Sequence, residues 1–128
     1  RSAIMRAVPD RDTSAEMKVR RLLRPIAPGY RLHRKDVPGK PDVAYLAKKK
    51  AIFVHGCFWH GHDCRRGARI PKTNADYWLA KIGRNRARDS RHIAELAERG
   101  WRALVVWECE LADAPALEAR LRAFVGED

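Results

Sequence analysis

The 128-residue chain is poor in cysteine, poor in acid and free of long apolar runs: it has three Cys, and 16 Asp and Glu against 27 Lys and Arg. Three thiols cannot all pair. With no secretion-type leader pattern, the odd count points to a reducing, cytoplasmic compartment and to metal ligation or free thiols. No apolar stretch approaches the roughly 20 residues that a membrane helix needs. Repeats and low-complexity tracts are absent too. One globular domain over residues 1–128 is expected, large enough for an ordinary core. The chain opens on Arg1, so an earlier start is expected.

The net charge is +11, and it is uneven. Residues 1–100 hold 24 Lys and Arg and 10 Asp and Glu, whereas residues 101–128 hold 3 and 6. The basic excess therefore lies away from the C-terminal end. Such asymmetry is the footprint of a polyanion-binding face. A membrane surface fits less well, because no basic amphipathic helix carries a broad aromatic face.

The element pattern is mixed α/β. Thr13-Ser-Ala-Glu16 has capping-box spacing and opens a helix with Ala15, Val19, Leu22 and Leu23 on its apolar face; Pro25 should stop it. Tyr30 to His33 reads as a short strand and Pro38-Gly39 as a turn. Asp42–Leu46 and Ala51–His55 read as a hairpin centred near Lys48, which puts Asp42 opposite Val54 and next to His55. A helix from Asn74 or Ala75 to Arg99 should bury Trp78, Ile82, Asn85, Asp89, Ile93 and Leu96, with Gly100 closing it. Asn85 and Asp89 interrupt that apolar stripe. Buried polar groups need partners, so this face should meet a site. Residues 102–107 form a near-continuous apolar strand, hence a central one. A last helix starts at Asp113-Ala-Pro115 with Leu117, Leu121, Phe124 and Val125 inward. Trp101 and Trp107 are assigned to the core.

Chemistry is concentrated in Phe53-Val-His-Gly-Cys-Phe-Trp-His-Gly-His-Asp-Cys64, which holds three histidines and two of the three cysteines. Cys57, His62, Cys64 and the distant Cys109 offer the Cys₃His donor set of a structural zinc; on spacing alone His60 could replace His62. Inert buried cysteines are the bland alternative. Asp42, after Pro41 at a strand start, offers a carboxylate for a hard cation such as Mg²⁺, although by itself it reads equally as a turn residue. His55 or His60 could act as a general base near neutral pH. Asp89 could orient one imidazole or form a surface ion pair. Glu16 closes the capping box or supports the metal site, and its spacing favours the cap. Phe58 and Trp59, in a loop of metal-ligand candidates, and Trp78 could wedge between base pairs.

These residues resemble the very short patch repair (Vsr) DNA mismatch endonucleases. The resemblance runs from Met5-Arg6-Ala7, Arg11-Asp12-Thr13 and Glu16 through Pro38-Gly39-Lys40-Pro41-Asp42 and Phe53–Cys64. It continues through Tyr77-Trp78-Leu79, Lys81-Ile82-Gly83, Asn85 and Arg88-Asp89 to Gly100-Trp101-Arg102 and Trp107-Glu108-Cys109. Lys40-Pro41-Asp42 with Phe53-Val54-His55 also looks like a variant PD-(D/E)xK nuclease core, with His55 where lysine is usual. The resemblance implies a mixed central sheet flanked by helices, and a Mg²⁺-dependent nick 5′ of the thymine in a T:G mismatch, the lesion left by deaminated 5-methylcytosine. By this analogy Asp42 and the backbone carbonyl of Val54 hold magnesium. His60 activates water, His55 pairs with Asp89 near the phosphate, and Glu16 supports catalysis. Cys57, His62, Cys64 and Cys109 hold zinc. Phe58, Trp59 and Trp78 enter the duplex from the major groove, while residues 1–12, with Met5, form an arm on the minor groove. Lys81 and Asn85 meet the mismatch region. The implied partners are mismatched duplex DNA and other mismatch-repair proteins, bound by a monomer at the bacterial nucleoid. Gly61 and Asp63 stand where some relatives carry histidines, and Val54 where one carries threonine. The rival readings are a less discriminating nuclease of the same fold, serving restriction or defence, and a zinc-stabilised DNA-binding module without catalysis.

Overall fold

The computed structural model describes residues 13–65 and 70–126. Helix α1 spans Ser14–Ile26. Three strands follow, β1 Arg31–Leu32, β2 Val43–Tyr45 and β3 Lys50–His55. Helix α2, Ala75–Glu98, crosses back to β4, Arg102–Trp107. A 3₁₀ turn, Glu108–Ala112, leads into α3, Ala114–Gly126. The sheet order is β1-β2-β3-β4, antiparallel except for the parallel pair β3–β4 that α2 connects. No helix among the described residues is long and apolar enough to cross a membrane.

Side-chain alternation along the strands splits the core in two. Ile52 of β3 and Val106 of β4 pack with Val19 and Leu23 of α1 and with Leu117, Leu121, Phe124 and Val125 of α3. Ala51 and Phe53 take the opposite face, with Leu96 of α2 and partly buried Trp101. His55 continues the Ala51–Phe53 row, so β3 ends with an imidazole on the α2 side, where Phe53 contacts it at 5.8 Å. The four apolar positions expected inside α3 are all buried. The α2 stripe also holds: Ile82 and Leu96 are buried, and Trp78, Asn85, Asp89 and Ile93 are half-buried.

Three expectations need correction. The helix α1 runs one residue past Pro25; a proline in the last turn forfeits one hydrogen bond, and Ala27 N–H still reaches Leu23 O at 2.8 Å. The hairpin register is shifted by one: Val43 faces Ile52 and Tyr45 faces Lys50. The cause is a four-residue turn, Leu46 to Lys49, which Lys49 closes in the left-handed conformation at φ 55°, because loop length sets register. Finally, β4 is an edge strand in the order, and β3 is central beside it. Its apolar run comes from being covered on both faces by helices, as parallel pairs are.

The start of β3 is tied to the C-terminus of α3. Lys50, 1% exposed, sends its ammonium to Phe124 O at 2.7 Å, and Lys48 reaches Val125 O at 3.2 Å. Cations at a helix C-terminus satisfy its orphan carbonyls and complement its dipole.

Candidate active site and metal centres

A cleft opens where β2 begins and β3 ends and the middle of α2 passes over them. Asp42, Val54, His55, His60, Arg88 and Asp89 are among its walls. Among the described residues, three groups of potential ligands converge, each with ligand atoms within 4.8 Å of one another: Cys57-His62-Cys64-Cys109, His55-His60-Asp89 and Glu16-His33-Asp42.

The first group brackets the loop after β3. The 3₁₀ turn after β4 brings Cys109 alongside: its N–H donates to Cys57 Sγ at 3.4 Å, and its Sγ lies 3.6 Å from His62 Nδ1. His62 lies with the three cysteines, and His60 falls in the second group instead. Burial pushes the Cys57 thiol up to about 12, with hydrogen bonds to Cys64 and Cys109 adding to it, and burial raises Cys109 as well. These thiols are poor nucleophiles without a cation. Three sulfurs and one imidazole nitrogen at this spacing suit tetrahedral Zn²⁺, which ionises the thiols it binds. Trp107 corrects its core assignment: it is half-buried, its ring lies 4.2 Å from His62 at 15°, and it meets His55 edge-on at 5.2 Å. It links the cysteine loop to the cleft.

The second group holds the histidine pair. His60 Nδ1 and Asp89 Oδ2 are 2.5 Å apart. The partner of Asp89 is therefore His60, whereas the family resemblance implied His55. The reason is α2: Asp89 faces the loop beyond the end of β3, and His55 is stacked flat beneath His60, centroids 3.8 Å apart. Burial is the main reason His55 falls to about 4, aided by the charges of His60 and Arg88; His55 is neutral at pH 7, and its Nδ1 is buried without a protein partner. Burial works to raise Asp89, but the His60 hydrogen bond and the neighbouring positive groups outweigh it and hold the carboxyl low.

The third group lies under the β1–β2 edge. Thr13 Oγ1 caps α1 by accepting from Glu16 N–H at 3.2 Å, while the Glu16 carboxylate turns inward, 1% exposed, to Arg20 at 3.2 Å and His33 at 2.9 Å. Asp42 Oδ2 accepts from Val54 N–H at 2.7 Å. That bond realises the expected Asp42–Val54 neighbourhood despite the shifted register. Burial and the adjacent Glu16 push Asp42 up to about 6 against the Val54 hydrogen bond. A buried and a half-buried carboxyl side by side, the latter resisting ionisation, fit a divalent cation that would take both charges. Sequence reading missed His33, treating it only as the end of a strand. What brings it beside Asp42 is the pairing of β1 with β2, in which His33 N–H reaches Asp42 O at 3.3 Å.

At the rim, Phe58, Trp59 and Trp78 form a half-buried triangle of edge-on rings with centroids 5.1 to 5.8 Å apart. Asn85 Nδ2 donates to Trp59 O at 2.8 Å and ties this loop to α2; Lys81 lies half-buried a turn earlier. Met5 and the rest of the 1–12 arm lie outside the described residues.

A mixed sheet of this shape is shared with the catalytic domain of the homing endonuclease I-Bth0305I, at a TM-score of 0.59 and 24% identity over 88% of this chain and 94% of that one. The relatives by sequence are nucleases. The type II nicking enzyme V.XorIIP of Xanthomonas oryzae pv. oryzae is 54% identical over 95% of this chain and 89% of its own length. The DNA mismatch endonuclease Vsr of Escherichia coli is 44% identical over 87% of this chain and 70% of its own. The cleft thus belongs to a DNA endonuclease of mixed α/β fold. Residues 1–66 match the model of the DNA mismatch endonuclease Vsr family, and the chain belongs to that family.

Proposed function

We propose that the protein nicks one strand of duplex DNA 5′ of the thymine in a T:G mismatch, by Mg²⁺-dependent hydrolysis of the phosphodiester. The observation that carries this reading is one cleft holding both the His60–Asp89 pair and the Asp42 carboxylate. His60 keeps its Nδ1 on Asp89, leaving Nε2 to take a proton from water; Asp89 fixes the tautomer and steadies the imidazolium. Neutral His55, packed beneath, offers a ring nitrogen to the scissile phosphate. Lys40 and Arg88 line the same cleft and complement the backbone charge. Asp42 and the Val54 carbonyl would hold the magnesium, with Glu16 in support. When bound, the ion supplies charge stabilisation for the phosphorane and acidifies nearby water. Cys57, His62, Cys64 and Cys109 would hold zinc, fixing the loop that carries His60. The Phe58–Trp59–Trp78 cluster is suited to unstack a weakened base pair, with Lys81 and Asn85 behind it and Met5 on the far groove.

The test uses an end-labelled duplex with a central T:G in a 5-methylcytosine-type context, beside a T:A control, with and without Mg²⁺. One Mg²⁺-dependent nick 5′ of the mismatched thymine, absent from the control, is the expected result. Equal cutting of both duplexes would replace the reading with a nuclease indifferent to mismatches.

A further inference from the structure

His33 belongs to the carboxylate cluster by construction. It follows β1 at φ 49°, a left-handed conformation unusual outside glycine, asparagine and aspartate, though histidine tolerates it better than most. Its backbone N–H is held on Asp42 O. With the chain turned this way, a side chain only 6% exposed puts Nε2 at 2.9 and 3.0 Å from the two Glu16 oxygens, and within 4.8 Å of an Asp42 ligand atom. Glu16 already has the Arg20 guanidinium on its outer side. His33 instead lies on the cleft wall, with a ligand atom within 4.8 Å of one from each carboxyl.

Resting on the reading that Asp42 holds a divalent ion, we propose that His33 is a nitrogen donor to that same ion. Two carboxylates and one imidazole form a mixed oxygen–nitrogen set. Magnesium prefers oxygen alone, whereas imidazole suits transition ions, so the set favours Mn²⁺ over Mg²⁺. The competing role is a plain counter-ion for Glu16, which would bring no metal–nitrogen bond.

The experiment loads the zinc-bound protein with Mn²⁺ on an already nicked duplex, so that no turnover intervenes. Electron spin echo envelope modulation then reads nitrogen coupled to the manganese, and calorimetry reads affinity. The variant His33→Asn keeps a residue that accepts φ above zero; His33→Gln is the second variant, and thermal melts check that both fold. Wild type should carry a ¹⁴N modulation that His33→Asn loses, with Mn²⁺ bound on the order of tenfold more weakly and Mg²⁺ much less affected. A modulation that persists in the folded variants, or is missing from wild type, overturns the proposal. Asp42→Asn separates this from the parent reading: if it abolishes Mn²⁺ binding while nitrogen coupling is independent of His33, only the His33 proposal falls. If Asp42→Asn still binds Mn²⁺ as wild type does, the assignment of the ion to Asp42 falls and the proposal with it.

Discussion

His55 and His60 lie ring on ring, with centroids 3.8 Å apart and planes within 4°. Only His60 has a carboxylate, Asp89, on its Nδ1. Two stacked imidazolium rings would repel, and Asp89 sets its carboxylate against His60 alone. On the proposed mechanism, the stack would divide labour between a proton acceptor, His60, and a ring held against the phosphate, His55.

Replacing Asp89 by Asn keeps the shape but removes the anion that steadies protonated His60. The nicking rate should fall by about 10²–10⁴-fold while duplex affinity stays near wild type. Single-turnover kinetics beside a binding titration checks this; an unchanged rate would remove the dyad from the mechanism.

The neutral burial of His55 has a pH signature. Its pKa falls from an ordinary 6.5 to about 4. The unfolded chain therefore takes up the proton first as pH drops. The stability tied to neutral His55 is complete above pH 6.5 and is lost progressively down to about pH 4, at most about 3 kcal/mol. Urea unfolding of wild type and His55→Gln at pH 7.5 and pH 5 should give a smaller loss in the variant. Equal losses would show that His55 does not titrate across folding.

Zinc should hold the loop and the end of β4 together. Cys109→Ser is expected to abolish stoichiometric zinc, measured by metal analysis, and to lower the unfolding midpoint by more than about 10 °C. Chelation of the wild-type protein should do the same. Full zinc content in the variant would remove Cys109 from the zinc site.

Gly61 sits at φ 64°, and a Cβ there would meet Ile82 Cγ2 at 2.6 Å and Arg86 Cδ at 2.8 Å. Arg86 can swing away, but Ile82 is buried on α2. Gly61→Ala should cost on the order of 2–4 kcal/mol and push the His60 loop off α2, lowering nicking as well as stability. A variant as stable as wild type would mean that the loop is not held against Ile82.

Much of the architecture was legible because periodicity reports burial. The α3 positions Leu117, Leu121, Phe124 and Val125, and the α2 stripe from Trp78 to Leu96, follow from the helical repeat. The Cys₃His grouping was legible because such residues have little packing value in a loop. What misled was context beyond the pattern. The apolar run 102–107 looked central because two covered faces resemble a central position, although edge or centre is fixed by hydrogen-bond neighbours. Trp107 looked like core because an aromatic on a buried strand usually is, yet it lies at the strand end, against His62. Glu16 carried a capping-box signal of which one half held, its backbone N–H on Thr13 Oγ1, while its carboxylate went to Arg20 and His33.

The sequence by itself determined the element order, the helix faces, the basic character and the set of residues able to do chemistry, because these depend on local spacing and side-chain type. Only the tertiary structure decided the partnerships: Asp89 with His60, His62 with the cysteines, and His33 with Glu16 and Asp42. Each of those links joins residues from different elements. Their distances depend on the strand register, on how far α2 slides over β3 and β4, and on a left-handed turn at His33, quantities set by packing of the whole core that no local pattern encodes.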